Sequence, residues 1–128
     1  VIYVDTSVAL AHLLAEDRRP PVAMWNEVLV SSRLLEFELW TRIQARGLGH
    51  SHGEHVRALI ERIGFLEVVP DVVGRAAERF PAPVRTLDAL HLATMDFVRR
   101  HGQRPRLAAY DARMLDVARR LGIELYPL

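Results

Sequence analysis

An α/β fold with a central, mainly parallel sheet of four or five strands is what this sequence predicts, on two observations. Short apolar runs alternate with longer amphipathic segments along the whole chain, and strands separated by helices pair in parallel with helices on both faces. The 128 residues suit one core and leave little for a second, so residues 1–128 read as a single domain. No linker, low-complexity tract or internal repeat interrupts them.

Val1 to Val4 reads as a buried strand, stopped by Asp5-Thr6-Ser7, residue types that cap helices. A helix from Ser7 to Glu16 follows, then a break at Asp17-Arg18-Arg19-Pro20. Pro21 suits the first turn of a second helix, to Glu27. Val28 to Val30 is the second strand, closed by Ser31-Ser32. Leu34, Leu35, Leu39 and Ile43 recur at helical spacing from Arg33 to Arg46, with Gly47 and Gly49 as stops. His52 to Ile63 repeats the pattern with Val56, Leu59 and Ile60. Phe65 to Val69 is a third strand, ended by Pro70, and Val72 to Phe80 a short helix before Pro81-Ala82-Pro83. Thr86 is expected to cap a long helix to Arg100. Arg106 to Tyr110, Asp111 to Leu121 and Ile123 to Tyr126 then give strand, helix, strand.

Composition closes several routes. Half the residues are hydrophobic and 26% are charged, which suits a packed domain and argues against disorder. Without cysteine there is no disulfide frame, thiolate metal site or thiol nucleophile. All basic side chains are arginine, so Schiff-base and Walker-lysine chemistry is excluded. A net charge of +1 supplies no broad field for a polyanion, so any RNA binding rests on local arginines and on metal. No stretch resembles a secretory leader or a membrane span, and the cytoplasm is the expected location.

In an open parallel sheet, ligands bind beyond the carboxyl ends of the strands. Asp5 and Asp111 directly follow the first and fourth strands, Asp88 lies in the first turn of the long helix, and Glu38 lies in the helix after the second strand. Singly, the first two are explained as N-caps, Asp88 as a dipole-compensating acid and Glu38 as an exposed charge. Together at one edge they would repel one another without a counter-charge, and Mg²⁺ or Mn²⁺ with its preference for oxygen would supply it.

Four segments carry a family resemblance. Val1 to Ser7 resembles the first strand and acidic turn of PIN domains; Ser31-Ser32 followed by Arg33 to Leu39 resembles the serine pair and Glu-bearing helix of that family. Leu87-Asp88-Ala89-Leu90-His91-Leu92-Ala93 is similar to its third motif, and Ala109 to Met114 with Ala118 and Leu121-Gly122-Ile123 to its last. The resemblance spans essentially the whole chain, and the short length is that of VapC toxins of bacterial toxin–antitoxin pairs. It implies a three-layer α/β/α sandwich and metal-binding catalytic roles for Asp5, Glu38, Asp88 and Asp111, with Asp5 central. Thr6 or Ser7 would bring a hydroxyl near the metal, and Arg113 is a supporting candidate. Glu36 competes with Glu38; two residues turn a helix by about 200°, so only one faces the site, and the serine-pair offset favours Glu38. Asp116 ranks lower, as a solvated acid within helical reach of Arg113 or Arg120.

The implied reaction is endonucleolytic hydrolysis of RNA by water activated at Mg²⁺ or Mn²⁺, leaving a 5′-phosphate, with Glu38 or Asp88 handling the proton. The implied partners are a VapB-type antitoxin, the RNA substrate and a second copy of the chain through the early helices; no membrane is involved. Transfer RNA, ribosomal RNA and messenger RNA all remain open as targets. The alternative is a catalytically inactive PIN fold that binds RNA or protein. A haloacid-dehalogenase-type phosphatase would need an acid at Ser7 and a lysine, a response-regulator receiver also needs a lysine, and a dinucleotide-binding fold needs a glycine-rich turn after the first strand; all are missing. His50, His52 and His55 are expected in a solvated loop between helices, His91 as a packing residue, and Trp25 and Trp40 as core or interface aromatics.

Overall fold

The computed structural model describes residues 1–128. Its elements are β1 (Ile2–Val4), α1 (Thr6–Leu13), a 3-10 turn (Val22–Asn26), β2 (Leu29–Ser32), α2 (Arg33–Ala45), α3 (Gly49–Glu61), β3 (Ile63–Leu66), α4 (Pro70–Ala76), α5 (Thr86–Arg100), β4 (Arg106–Ala108) and α6 (Ala112–Arg120). The four strands form one sheet in the order β3-β2-β1-β4, and every pairing is parallel. This is the α/β/α sandwich expected from the alternation of strands and helices.

Strand periodicity divides the core. Ile2 and Val4 point to one face and pack with Val8, Leu35, Leu39, Ile43 and Val56 from α1, α2 and α3. Tyr3 points to the other and packs with Leu92, Met95, Met114 and Val117 from α5 and α6. Because β1 lies between β2 and β4, its following helix goes to the first face, while the helix after β4 goes to the second. Adjacent strands whose connections diverge in this way leave a crevice at their carboxyl ends. That crevice lies between Asp5 and Asp111.

Several boundaries differ from the sequence expectation, each for a local reason. Helix α1 ends at Leu13 rather than Glu16, where Ala15 turns the chain with φ at 50°. The segment after Pro21 makes only a 3-10 turn. Gly47, with φ at 68°, makes the turn after α2, but Gly49 does not stop a helix: it starts α3, close under the Gln44 side chain where a Cβ would clash. His50, His52 and His55 therefore lie on that helix and not in a loop. Strand β3 runs Ile63–Leu66 rather than Phe65 to Val69, and Pro70 opens α4 instead of ending a strand. Thr86 is the first residue of α5, not its cap; Arg85 holds that position without a side-chain cap bond. The expected last strand is a single parallel bridge, Leu107 with Leu125. No helix is long and apolar enough to cross a membrane.

Leu39 is fully buried between β1 and the helices of the first face. Leu39→Ala is expected to lower unfolding stability by about 2–5 kcal/mol, whereas Glu54→Ala, on the exposed side of α3, should change it by less than about 0.5 kcal/mol. Urea unfolding of the two variants checks this; equal shifts would contradict the core assignment.

Candidate active site

Asp5 is the N-cap of α1, and its Oδ2 accepts from the Ser7 backbone N–H at 3.2 Å and from the Ser7 hydroxyl at 2.5 Å. Ser7 Oγ in turn accepts from the Tyr110 N–H at 3.0 Å, which ties the end of β1 to the end of β4. Asp111 is the N-cap of α6: its Oδ1 accepts from the N–H groups of Arg113 and Met114. The capping reading of both acids is therefore correct, and it uses one oxygen of each.

Glu38, not Glu36, turns inward. Its Oε1 accepts from the Thr6 hydroxyl at 2.9 Å and lies 2.7 Å from His91 Nε2. Glu36 instead pairs with Arg33 on the outside of α2. The serine pair before the helix has two separate tasks: Ser31 donates to the Val4 carbonyl at 2.7 Å, and Ser32 caps α2 through Leu34.

His91 is the residue that sequence reasoning misplaced. It is not only packed; it is 1% exposed and hydrogen-bonded at both ring nitrogens, Nε2 to Glu38 and Nδ1 to the Tyr3 hydroxyl at 2.7 Å. Tyr3 Oη also accepts from the Ser32 N–H at 3.2 Å. Complete burial drives the Tyr3 pKa up, so the phenol keeps its proton and can donate it to a neutral His91. Burial alone would lower the His91 pKa, but the hydrogen bond to Glu38 and the charges of Asp5, Glu38 and Asp88 outweigh it and raise the value. The signal in the sequence was its place three residues after Asp88, on one helix face.

Arg85 is the second residue missed. Its guanidinium reaches Asp111 Oδ2 at 2.6 Å and Asp88 Oδ2 at 3.3 Å. Asp88 has a raised pKa: partial burial pushes it up, Arg85 pulls it down, and the charges of Asp111 and Asp5 add to the rise. Those couplings show the three aspartates sharing one region. Arg113 offers only its backbone to Asp111, and its side chain enters no ion pair. Asp116 pairs with Arg120 at 3.2 Å, away from the acids.

Asp5, Glu38 and Asp88 thus commit one oxygen each to the fold or to a counter-ion, and Asp111 commits both, Oδ1 to its helix cap and Oδ2 to Arg85. Asp5 Oδ1, Glu38 Oε2 and Asp88 Oδ1 make no protein hydrogen bond, yet no buried side-chain polar atom lacks a partner, so these oxygens meet solvent. No three Asp, Glu, His or Cys side chains close on a point tightly enough to hold an ion unaided; Asp88 and Asp111 close on Arg85 instead. The donor set nevertheless fits an oxygen-preferring dication, being all carboxylate and carrying more negative charge than one exposed arginine balances. His52 and His55 line a separate cavity with His12 and Trp25. Trp25 and Trp40 pack against the core as expected.

Two outcomes follow for the His91 chain. Tyr3→Phe keeps the ring but leaves the Ser32 N–H unpartnered, an expected loss of about 1–3 kcal/mol by urea unfolding; an unchanged midpoint would contradict the bond. The folded His91 pKa lies above the free value of 6.5, so its stabilisation is complete below that pH and is lost as the pH rises through the folded value. In a chelator, the urea midpoint should be higher near about pH 6 than about pH 8, and His91→Gln should remove the difference.

The PIN domain family model matches residues 2–120. Ribonuclease VapC47 of Mycobacterium tuberculosis is 30% identical over 129 residues, covering 95% of this chain and 93% of that protein. Ribonuclease VapC46 of the same species is 30% identical over 125 residues, with the same coverage of 95% and 93%. The crystal structure of Mycobacterium tuberculosis VapC20, a sarcin-ricin loop cleaving toxin, superposes with a TM-score of 0.70 at 24% identity, over 91% of this chain and 94% of that one, and so shares the fold. With the parallel sheet, the acids at its carboxyl edge and these relatives together, the chain belongs to the PIN-domain family and is of the VapC type.

Proposed function

We propose that this chain is a metal-dependent endoribonuclease and the toxin of a toxin–antitoxin pair. The carrying observation is that four carboxylates, Asp5 and Asp111 beyond the ends of β1 and β4, Glu38 on α2 and Asp88 on α5, gather at a single crevice, three of them with one oxygen free of any protein partner. The ribonuclease names of its relatives support the reaction class.

Asp5, Asp88 and Asp111 would hold Mg²⁺ or Mn²⁺, which when bound supplies counter-charge and Lewis acidity for phosphodiester hydrolysis. Glu38 Oε2 takes or orients the proton of the attacking water, while Thr6 and His91 keep Oε1 occupied and the carboxylate still. Ser7 holds Asp5 in one orientation. Water adds to phosphorus, the P–O3′ bond breaks, and the fragments carry a 5′-phosphate and a 3′-hydroxyl. Arg85, with a side chain 66% exposed, balances the acids in the free protein and is able to turn from them toward a phosphate. A VapB-type antitoxin as inhibitor, a homodimer and action in the cytoplasm complete this reading.

Incubation with structured and ribosomal RNA in Mg²⁺, Mn²⁺ or chelator tests it. Cleavage should need the metal and fall by about 100-fold or more in Asp5→Ala; equal activity of the two proteins would remove the mechanism. Arg85→Ala should tighten Mn²⁺ binding, measured by electron paramagnetic resonance, by no more than about fivefold, because solvent screens an exposed ion pair. Weaker Mn²⁺ binding in that variant would contradict the role of Arg85 as competing counter-ion.

A further inference from the structure

We propose that a groove beside Asp111, bordered by Arg18, Arg19 and Arg119 with Tyr110 and Tyr126, binds the single-stranded RNA that flanks the cleaved phosphodiester. The inference rests on the ribonuclease reading and adds where the substrate lies.

The groove has a volume of about 590 Å³. Tyr110 is one of its walls and immediately precedes Asp111; its N–H is bonded to Ser7, which is bonded to Asp5. Tyr110 therefore connects the groove to the end of the sheet that carries Asp5 and Asp111, although none of the four acids lines the groove itself. Arg119 lies eight residues beyond Asp111 on α6, about 12 Å along the helix. That separation is on the scale of a few nucleotides of extended single strand.

The charges in the groove are uncommitted. Arg33, Arg75, Arg85, Arg99, Arg106 and Arg120 make the arginine ion pairs of this chain. Arg18, Arg19 and Arg119 make none, and all three are exposed. Asp17 also lines the groove, so three cations face one acid. Arg18 is held in place: its guanidinium lies over the Tyr110 ring, 4.7 Å from the centroid, and one Nη donates to the Tyr110 carbonyl at 3.5 Å. Stacking uses the face of the guanidinium and leaves its remaining in-plane N–H groups for phosphate oxygens. Tyr126 is similarly covered by Arg106, at 4.9 Å.

A cluster of acids repels a polyanion, and a net charge of +1 does not offset this over the whole surface. Arginines without ion pairs, in a groove that shares Tyr110 with the strand end before Asp111, would do so locally. Stacked aromatic and guanidinium planes are also the surfaces on which unpaired bases rest. An acidic protein segment would use the arginines but not the planes, which favours RNA.

The test measures anisotropy of a short fluorescein-labelled oligouridine in chelator, and KM on an RNA that the wild type cuts. The proteins are wild type, Arg18→Ala/Arg19→Ala/Arg119→Ala, each single variant, and Arg46→Ala as an exposed arginine elsewhere. The triple variant should weaken oligouridine binding and raise KM roughly tenfold or more, and flatten the dependence of log K on log salt by about 2, for three phosphate contacts. The single variants carry the test if the triple one fails to fold, and Arg46→Ala should match wild type. Binding, KM and salt slope in the groove variants equal to those of Arg46→Ala would overturn the proposal, leaving an acidic protein segment as the better occupant. Wild-type cleavage with unchanged KM in the variants would sink the groove alone. Arginine-dependent oligouridine binding by a protein that cuts no RNA would sink the ribonuclease reading and leave the groove standing.

Discussion

One imidazole joins the two helical layers of this protein beyond the ends of the sheet. His91 comes from α5 on one face, yet its Nε2 meets Glu38 from α2 on the other, and its Nδ1 meets Tyr3 from the strand between them. Thr6 and the Ser32 N–H complete the chain. These groups are buried, so each must find its partner or lose its hydration without return. The observed placement of α1, α2, α5 and β1 satisfies all of them. The same placement brings Glu38 to Thr6, the residue after Asp5.

The acids themselves are divided between structure and chemistry. Asp5 and Asp111 cap helices on opposite faces of the sheet, which is why they emerge on either side of the crevice. A cap needs one carboxylate oxygen, so the other remains for a counter-ion or a cation. Capping and catalysis are therefore not rival explanations of these residues. The helix ends supply the fixed geometry, and the remaining oxygens supply the charge.

That charge creates the next constraint. Asp88 already feels Asp5 and Asp111, and the protein answers with Arg85, held between two carboxylates at the solvent edge. A groove between the segment after α1 and the end of α6 holds Arg18, Arg19 and Arg119, which enter no ion pair. Opposite charges are thus kept separate at short range instead of being paired off throughout. A protein with almost no net charge in this way keeps local fields of both signs at its surface.

What the sequence determined by itself was local. Apolar runs and cap residues marked the strands and helices, and placed Asp5 and Asp111 at strand ends; helix rotation left room for one of Glu36 and Glu38, and the family resemblance favoured Glu38. Such patterns are set by neighbours a few residues away. Tertiary structure decided the rest, because it depends on contacts that no short window contains. His91 bonds to residues 53 and 88 positions distant, and Arg85 crosses 26 positions to Asp111. Gly49 begins a helix with the Gln44 side chain of the preceding one packed against it, and the final strand shrinks to one bridge at the edge of β4. The identities of the acids were legible one by one; that they face a common crevice, with an arginine between two of them, is a property of the packed sheet.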